Sequence, residues 1–143
     1  MRKITRVILH CSATKPGQNV NAEIIRHWHT TPKPKGRGWR DIGYHFVILE
    51  DGTIQRGRPL GVSGAHTKGH NYDSVGVCYT GGLDENGSPK DTMTDAQEKS
   101  FRALFASLNI VLGEMALHGH NEFAAKACPC FKVSEKFKDL CDE

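Results

Sequence analysis

The chain has no long apolar run. No window approaches the roughly 20 consecutive apolar residues that a bilayer-spanning helix needs, and the opening MRKITRVILHCSATKPG offers only Val7, Ile8 and Leu9 as an apolar stretch. A secretory signal requires a longer apolar region and a small-residue cleavage site. None is expected, so the protein should be made and folded in a cytoplasm without stable membrane association. Charge of one sign is also scarce: 19 Lys and Arg against 16 Asp and Glu leave a formal charge of +3. Nucleic-acid binding calls for basic residues clustered on one face, and that signature is missing. Cysteines are few and odd in number, five in all (Cys11, Cys78, Cys128, Cys130, Cys141). Without a secretory signal they read as reduced thiols or metal ligands, not a disulfide framework. No repeat or linker divides the 143 residues, which read as one domain, 1–143, long enough to bury a core.

What is present is an alternation of strand-like and helix-like words. ITRVILH (4–10) reads as a buried strand ending on a histidine. NAEIIRHWHT (21–30) reads as a helix capped by Asn21, with Ile24, Ile25 and Trp28 on one face. YHFVILE and TIQRGR are two strands joined through Asp51-Gly52, a hairpin signal. SVGVCYT (74–80) is another buried strand. Thr94 with Gln97 makes a capping box, after which Phe101, Leu104, Phe105, Leu108 and Leu112 recur at helical spacing until Gly113. EMALHGH is a short strand, and SEKFKDLC a terminal helix opened by Ser134. The pattern predicts an α/β domain with a central mixed sheet flanked by helices.

The chemistry concentrates in HNEFAAKACPCF (120–131) and among the eight histidines. His10 and His120 each end a predicted strand, where a sheet presents side chains to a cleft, and Cys128 follows on a loop. Two imidazoles and a thiolate form a three-ligand zinc set with a fourth position open. The eight-residue step from His120 to Cys128 is not a compact zinc-finger spacing. A strand-end histidine and a small buried thiol therefore remain open as alternatives. His118 shares a strand face with His120 and competes with it. Glu122 is placed either to act as a base or to orient a ligand histidine.

Four ordered stretches, ILHCSATKPGQNV, GWRDIGYHFVILEDGTIQRGR, GVSGAHTKGHNYDSVGVCYTGG and HNEFAAKACPCF, resemble the zinc-dependent N-acetylmuramoyl-L-alanine amidases, nearest to those of T-odd bacteriophages. Peptidoglycan recognition proteins are more distant. The resemblance implies one Zn2+ per chain held by His10, His120 and Cys128, with Tyr44 and Lys126 as catalytic residues. It implies a monomer that hydrolyses the amide between the lactyl group of N-acetylmuramic acid and L-alanine in peptidoglycan. Such a lysin is synthesised in the bacterial cytoplasm and reaches the wall by holin-assisted or lytic release. A non-catalytic peptidoglycan-binding module and an intracellular regulator, such as a polymerase inhibitor, are the alternatives.

Further candidates for orienting the ligands or lining a substrate groove are Glu122, His45, His66, Asn71 and Trp39. Two features depart from the phage pattern. Cys130 is an extra thiol, read as a bystander because Cys-Pro-Cys suits neither one metal nor a redox pair. The loop TTPKPKGRGW is longer, and with Lys33, Lys35, Arg37 and Arg40 it is expected to form either a basic wall beside the groove or a solvated loop.

Overall fold

Valine, isoleucine and leucine dominate the first strand, and that composition suits a strand covered on both faces. In the computed structural model, which describes residues 2–141, this strand, β1 (Arg6–Cys11), lies inside a five-stranded sheet. The others are β2 (Phe46–Ile48), β3 (Ile54–Arg56), β4 (Ser74–Tyr79) and β5 (Ala116–Gly119), in the order β3-β2-β4-β1-β5. β1 runs parallel to both β4 and β5, β2 runs parallel to β4, and only β3 is antiparallel. The mixed sheet and flanking helices agree with the α/β expectation. Residues 1, 142 and 143 of the predicted domain lie outside the described residues.

Alternation along the strands divides the core in two. Val7, Leu9 and Cys11 of β1, with Val75, Val77 and Tyr79 of β4, face helix α2 (Asp95–Leu112) and its Phe101, Leu104, Phe105 and Leu108. Val47 and Cys78 point the other way, toward Ala22 and Ile25 of helix α1 (Ala22–Thr30). His10 alternates with Leu9 and so belongs to the α1 face. That short helix covers only part of its face, and a groove opens beside it.

The capping signals behave as the sequence suggests. Asn21 accepts the N–H of Ile24, Thr94 and Gln97 form the reciprocal box, and Gly113 ends α2 at φ 99°. Asp51 and Gly52 turn the β2–β3 hairpin, with Gly52 at φ 91°. On α1, Ile25 is buried but Trp28 is 40% exposed, so the predicted apolar stripe is narrower than drawn. The terminal helix is a larger correction. It is a single turn, α3 (Val133–Lys136), and Ser134 does not cap it. Val133 and Phe137, both buried, anchor this segment to the core, and Phe137 already leaves helical geometry at φ −116°, ψ 41°.

Candidate metal centre and active site

Parallel neighbours present their C-terminal ends on the same rim of a sheet. β1 and β5 are such neighbours, so His10 near the end of one and His120 just past the end of the other meet, with ring centroids 4.5 Å apart. The loop after β5 returns to the same rim and delivers Cys128, whose Sγ stands 3.9 Å from Nδ1 of His10. One ligand atom from each of His10, His120 and Cys128 lies within 4.8 Å of the other two. Tetrahedral zinc with nitrogen and sulfur ligands spaces its donors by about 3.3–3.6 Å, so a small inward movement would complete the set. Burial pushes the His10 pKa well below the ordinary histidine value, helped by His66, His120 and Lys126. His120 is lowered by burial and by Lys126. Both imidazoles are therefore neutral, as metal binding requires. The donor set fits zinc.

Around these residues lies a groove of about 960 Å³. Tyr44, half-buried, packs its ring 5.1 Å from that of His10. Burial, then the Cys78, Cys128 and Cys11 thiols, raise its pKa well above that of a free phenol, so it keeps its proton. Lys126 is exposed and lines the same groove. Trp39 forms a wall, with the Arg37 guanidinium 5.0 Å over its ring and His29 edge-on at 4.9 Å. On the opposite side, His66 Nδ1 lies 2.9 Å from Nε2 of His10, and Asn71 Oδ1 accepts the N–H groups of both His66 and Thr67 at 2.9 Å.

The sequence pattern of the N-acetylmuramoyl-L-alanine amidase family matches residues 1–131. The chain belongs to that family. The amidase is 46% identical to the endolysin of Escherichia phage T7 over 127 residues, 89% of this chain and 81% of that one. The endolysin of Enterobacteria phage T3 is 45% identical over the same coverage. Among solved structures, N-acetylmuramoyl-L-alanine amidase LysC from Clostridium intestinale matches with a TM-score of 0.79, 27% identity, and 96% and 87% of the two chains. Bumblebee PGRP-SA also reaches 0.79, at 28% identity, covering 97% and 83%. The amidase is thus an endolysin-type enzyme of peptidoglycan hydrolysis.

Several expectations about the amidase site need correction. Glu122 is engaged away from the His10–Cys128 cluster: its carboxylate takes His118 Nδ1 and the Gly119 N–H, both at 2.8 Å, and lines no part of the groove. The same contact removes His118 as a competitor for the metal. His120 has left the strand for a 3-10 turn (His120–Glu122), so strand alternation no longer relates the two. His45 lines no part of the groove either. It is buried beneath it, accepting the Gly76 N–H at Nδ1 and meeting the Val62 carbonyl at Nε2. Of the four basic residues at this loop, only Arg37 reaches the groove, while Lys33, Lys35 and Arg40 are exposed and line none of it. Cys130 pairs with Cys11, Sγ to Sγ 3.7 Å. Burial and Cys11 push its pKa up to about 12, which keeps it a thiol.

Sequence reasoning missed His29, Thr67, Lys68 and Phe123, all on the groove wall. His29 lies one helical turn beyond buried Ile25, and that spacing was a usable signal. Thr67 and Lys68 had none beyond adjacency to His66.

Proposed function

We propose that this amidase is zinc-dependent, and that His10, His120 and Cys128 hold one Zn2+ at the base of the groove. The observation that carries this reading is the convergence of those three donors within 4.8 Å of one another, with Tyr44 and Lys126 lining the same groove. The bond cut is the amide between the lactyl group of N-acetylmuramic acid and L-alanine. When bound, zinc supplies Lewis acidity and an activated water nucleophile near neutral pH. The remaining chemistry belongs to the chain. The protonated phenol of Tyr44 donates a hydrogen bond toward the scissile carbonyl as negative charge builds on its oxygen. The ammonium of Lys126 supplies compensating positive charge at the same oxygen. Preorganised donors of this kind contribute about a hundred- to thousandfold in rate. Arg37 and Trp39 form the wall against which a muramyl peptide, with its stem-peptide carboxylates, would lie.

The protein acts as a monomer on the wall, after holin-assisted or lytic release. No described helix is long and apolar enough to cross a membrane. Digestion of purified peptidoglycan, with identification of the new ends, tests the reaction. Free amino groups on L-alanine without new reducing sugars are expected; new reducing ends would place the cut in the glycan instead. Metal analysis of the purified protein tests the zinc.

A further inference from the structure

His10 has two ring nitrogens with different tasks. Nδ1 faces Sγ of Cys128 at 3.9 Å, while Nε2 faces Nδ1 of His66 at 2.9 Å and Oγ1 of Thr67 at 3.2 Å. A neutral imidazole carries a single proton. To offer a lone pair to a metal through Nδ1, His10 must keep that proton on Nε2. We propose that His66 is a positioning residue that fixes His10 in this tautomer, as the acceptor at the end of a hydrogen-bond chain that starts from a backbone carbonyl. The inference rests on the reading of His10 as a metal ligand.

The direction is set far from the metal. The chain begins at the backbone carbonyl of His70, which can only accept. Ser74 Oγ lies 2.7 Å from that oxygen, so the serine hydroxyl spends its proton there. Ser74 Oγ is left with lone pairs facing Nε2 of His66 at 3.3 Å. Nε2 of His66 therefore carries the ring proton, and Nδ1 of His66 is bare. A bare Nδ1 at 2.9 Å from Nε2 of His10 is placed to accept the His10 N–H. The Thr67 hydroxyl oxygen lies 2.9 Å from the same His66 nitrogen and 3.2 Å from Nε2 of His10, so its lone pairs offer the His10 N–H a second acceptor on the side away from Cys128. Each link pushes the His10 proton away from the metal side. Metal-bound histidines commonly pass their second N–H to a carboxylate or carbonyl; here a neutral imidazole takes that place.

The slot that holds His66 is built for the ring. A Cβ at Gly76 would stand 2.5 Å from Cδ2 of His66, and one at Gly64 2.6 Å from the same atom. Two positions therefore lack side chains where the imidazole lies. Asn71 fixes the backbone at the ring by accepting from His66 and Thr67 together. His66 is not itself a ligand in this arrangement, because its Nδ1 addresses the His10 nitrogen that faces away from Cys128.

The test is zinc affinity of the full chain, measured by competition with a chromophoric chelator, together with 15N shifts of His10 in the metal-free protein. His66→Leu, which removes the acceptor, should weaken zinc binding about 10- to 100-fold and leave His10 as a mixture of tautomers. His66→Asn, whose side-chain oxygen can occupy the Nδ1 position, should stay within a few-fold of the wild type. Should His66→Leu fail to fold, Ser74→Ala reads the same chain: His66 should lose its preference for the Nε2–H form. Wild-type affinity with an unchanged His10 tautomer in His66→Leu would overturn the proposal, as would an unchanged His66 tautomer in Ser74→Ala. A wild-type protein that binds no zinc, yet shows His10 in the Nε2–H form, would overturn the metal reading instead.

Discussion

The backbone N–H of Cys11 donates to Sγ of Cys128 at 3.2 Å. The two residues lie 117 positions apart in the chain, and the bond ties the ligand loop to the strand that carries His10. The contact holds the Cys128 sulfur beside His10. Cys130 instead faces the Cys11 thiol, Sγ to Sγ at 3.7 Å. Cys128→Ser should therefore remove most of the zinc, because a hydroxyl is a far poorer ligand than a thiolate. Cys130→Ser should keep metal and activity within a few-fold. Chelation should abolish activity in the wild type, and added zinc restore it. Metal content and amide cleavage measured on both mutants check this, and reversed behaviour would mean that the loop is misregistered.

Glu122 provides a negative counterpart. Its carboxylate is engaged by His118 and the Gly119 N–H, at the foot of a 3-10 turn and outside the groove. Glu122→Gln should retain zinc and lose no more than a few-fold in turnover, with a modest fall in melting temperature from the weakened His118 contact. A loss above a hundredfold with intact zinc would restore it as a base.

The fold was legible wherever a local signal was tied to a physical cause. Apolar runs marked β1 and β4, and caps at Asn21, Thr94 and Gly113 marked α1 and α2. The end of the chain was misread because Val133 and Phe137 are held by tertiary burial, which outweighs the helical propensity of SEKFKDLC. At the site, the residues that converge from β1, the β5 end and its loop came from ordered motifs resembling a family. Spacing alone left His10 and Cys128 ambiguous, since what joins them is the adjacency of β1 and β5, a long-range fact. His45 and Glu122 were misassigned for a related reason. Proximity in sequence to Tyr44 and His120 says nothing about which side of the rim a side chain takes.

His45 makes the acid stability of the protein testable. Burial is the main cause that lowers its pKa to about 4, and Arg2 opposes a second charge there. The unfolded chain has the ordinary value near 6.5. Between those values the unfolded state binds a proton that the folded state refuses, so stability is full above pH 6.5 and falls as the pH drops toward 4. For this one group the loss is on the order of 3 kcal/mol. His29, lowered to about 4 chiefly by burial, acts in the same sense. Melting temperatures of the chelator-treated protein should fall steadily from pH 7 to 4.5. His45→Asn, which can still accept from Gly76, should be less stable at pH 7 but show a flatter slope. Parallel slopes in the two proteins would show that His45 titrates normally.

Tyr44, Lys126 and Arg37 share one groove, but only the first two are assigned to the scissile carbonyl. That assignment predicts a split in the kinetics. Tyr44→Phe removes the phenolic donor while leaving the ring that packs 5.1 Å from His10, so zinc and fold should be retained. Lys126→Ala removes an exposed ammonium with little packing of its own. Both should lose at least about a hundredfold in kcat with little change in KM, because an interaction made only in the transition state affects turnover. Arg37→Ala should behave in the opposite way. Its guanidinium lies over Trp39 on the groove wall, where on the proposed reading it would meet the substrate before and during reaction alike. Such uniform binding raises KM and leaves kcat nearly unchanged. Steady-state kinetics on soluble muramyl peptide, with zinc content measured for each variant, separates the two patterns. A raised KM with unchanged kcat in Tyr44→Phe or Lys126→Ala would make that residue part of the binding wall and remove it from the chemistry.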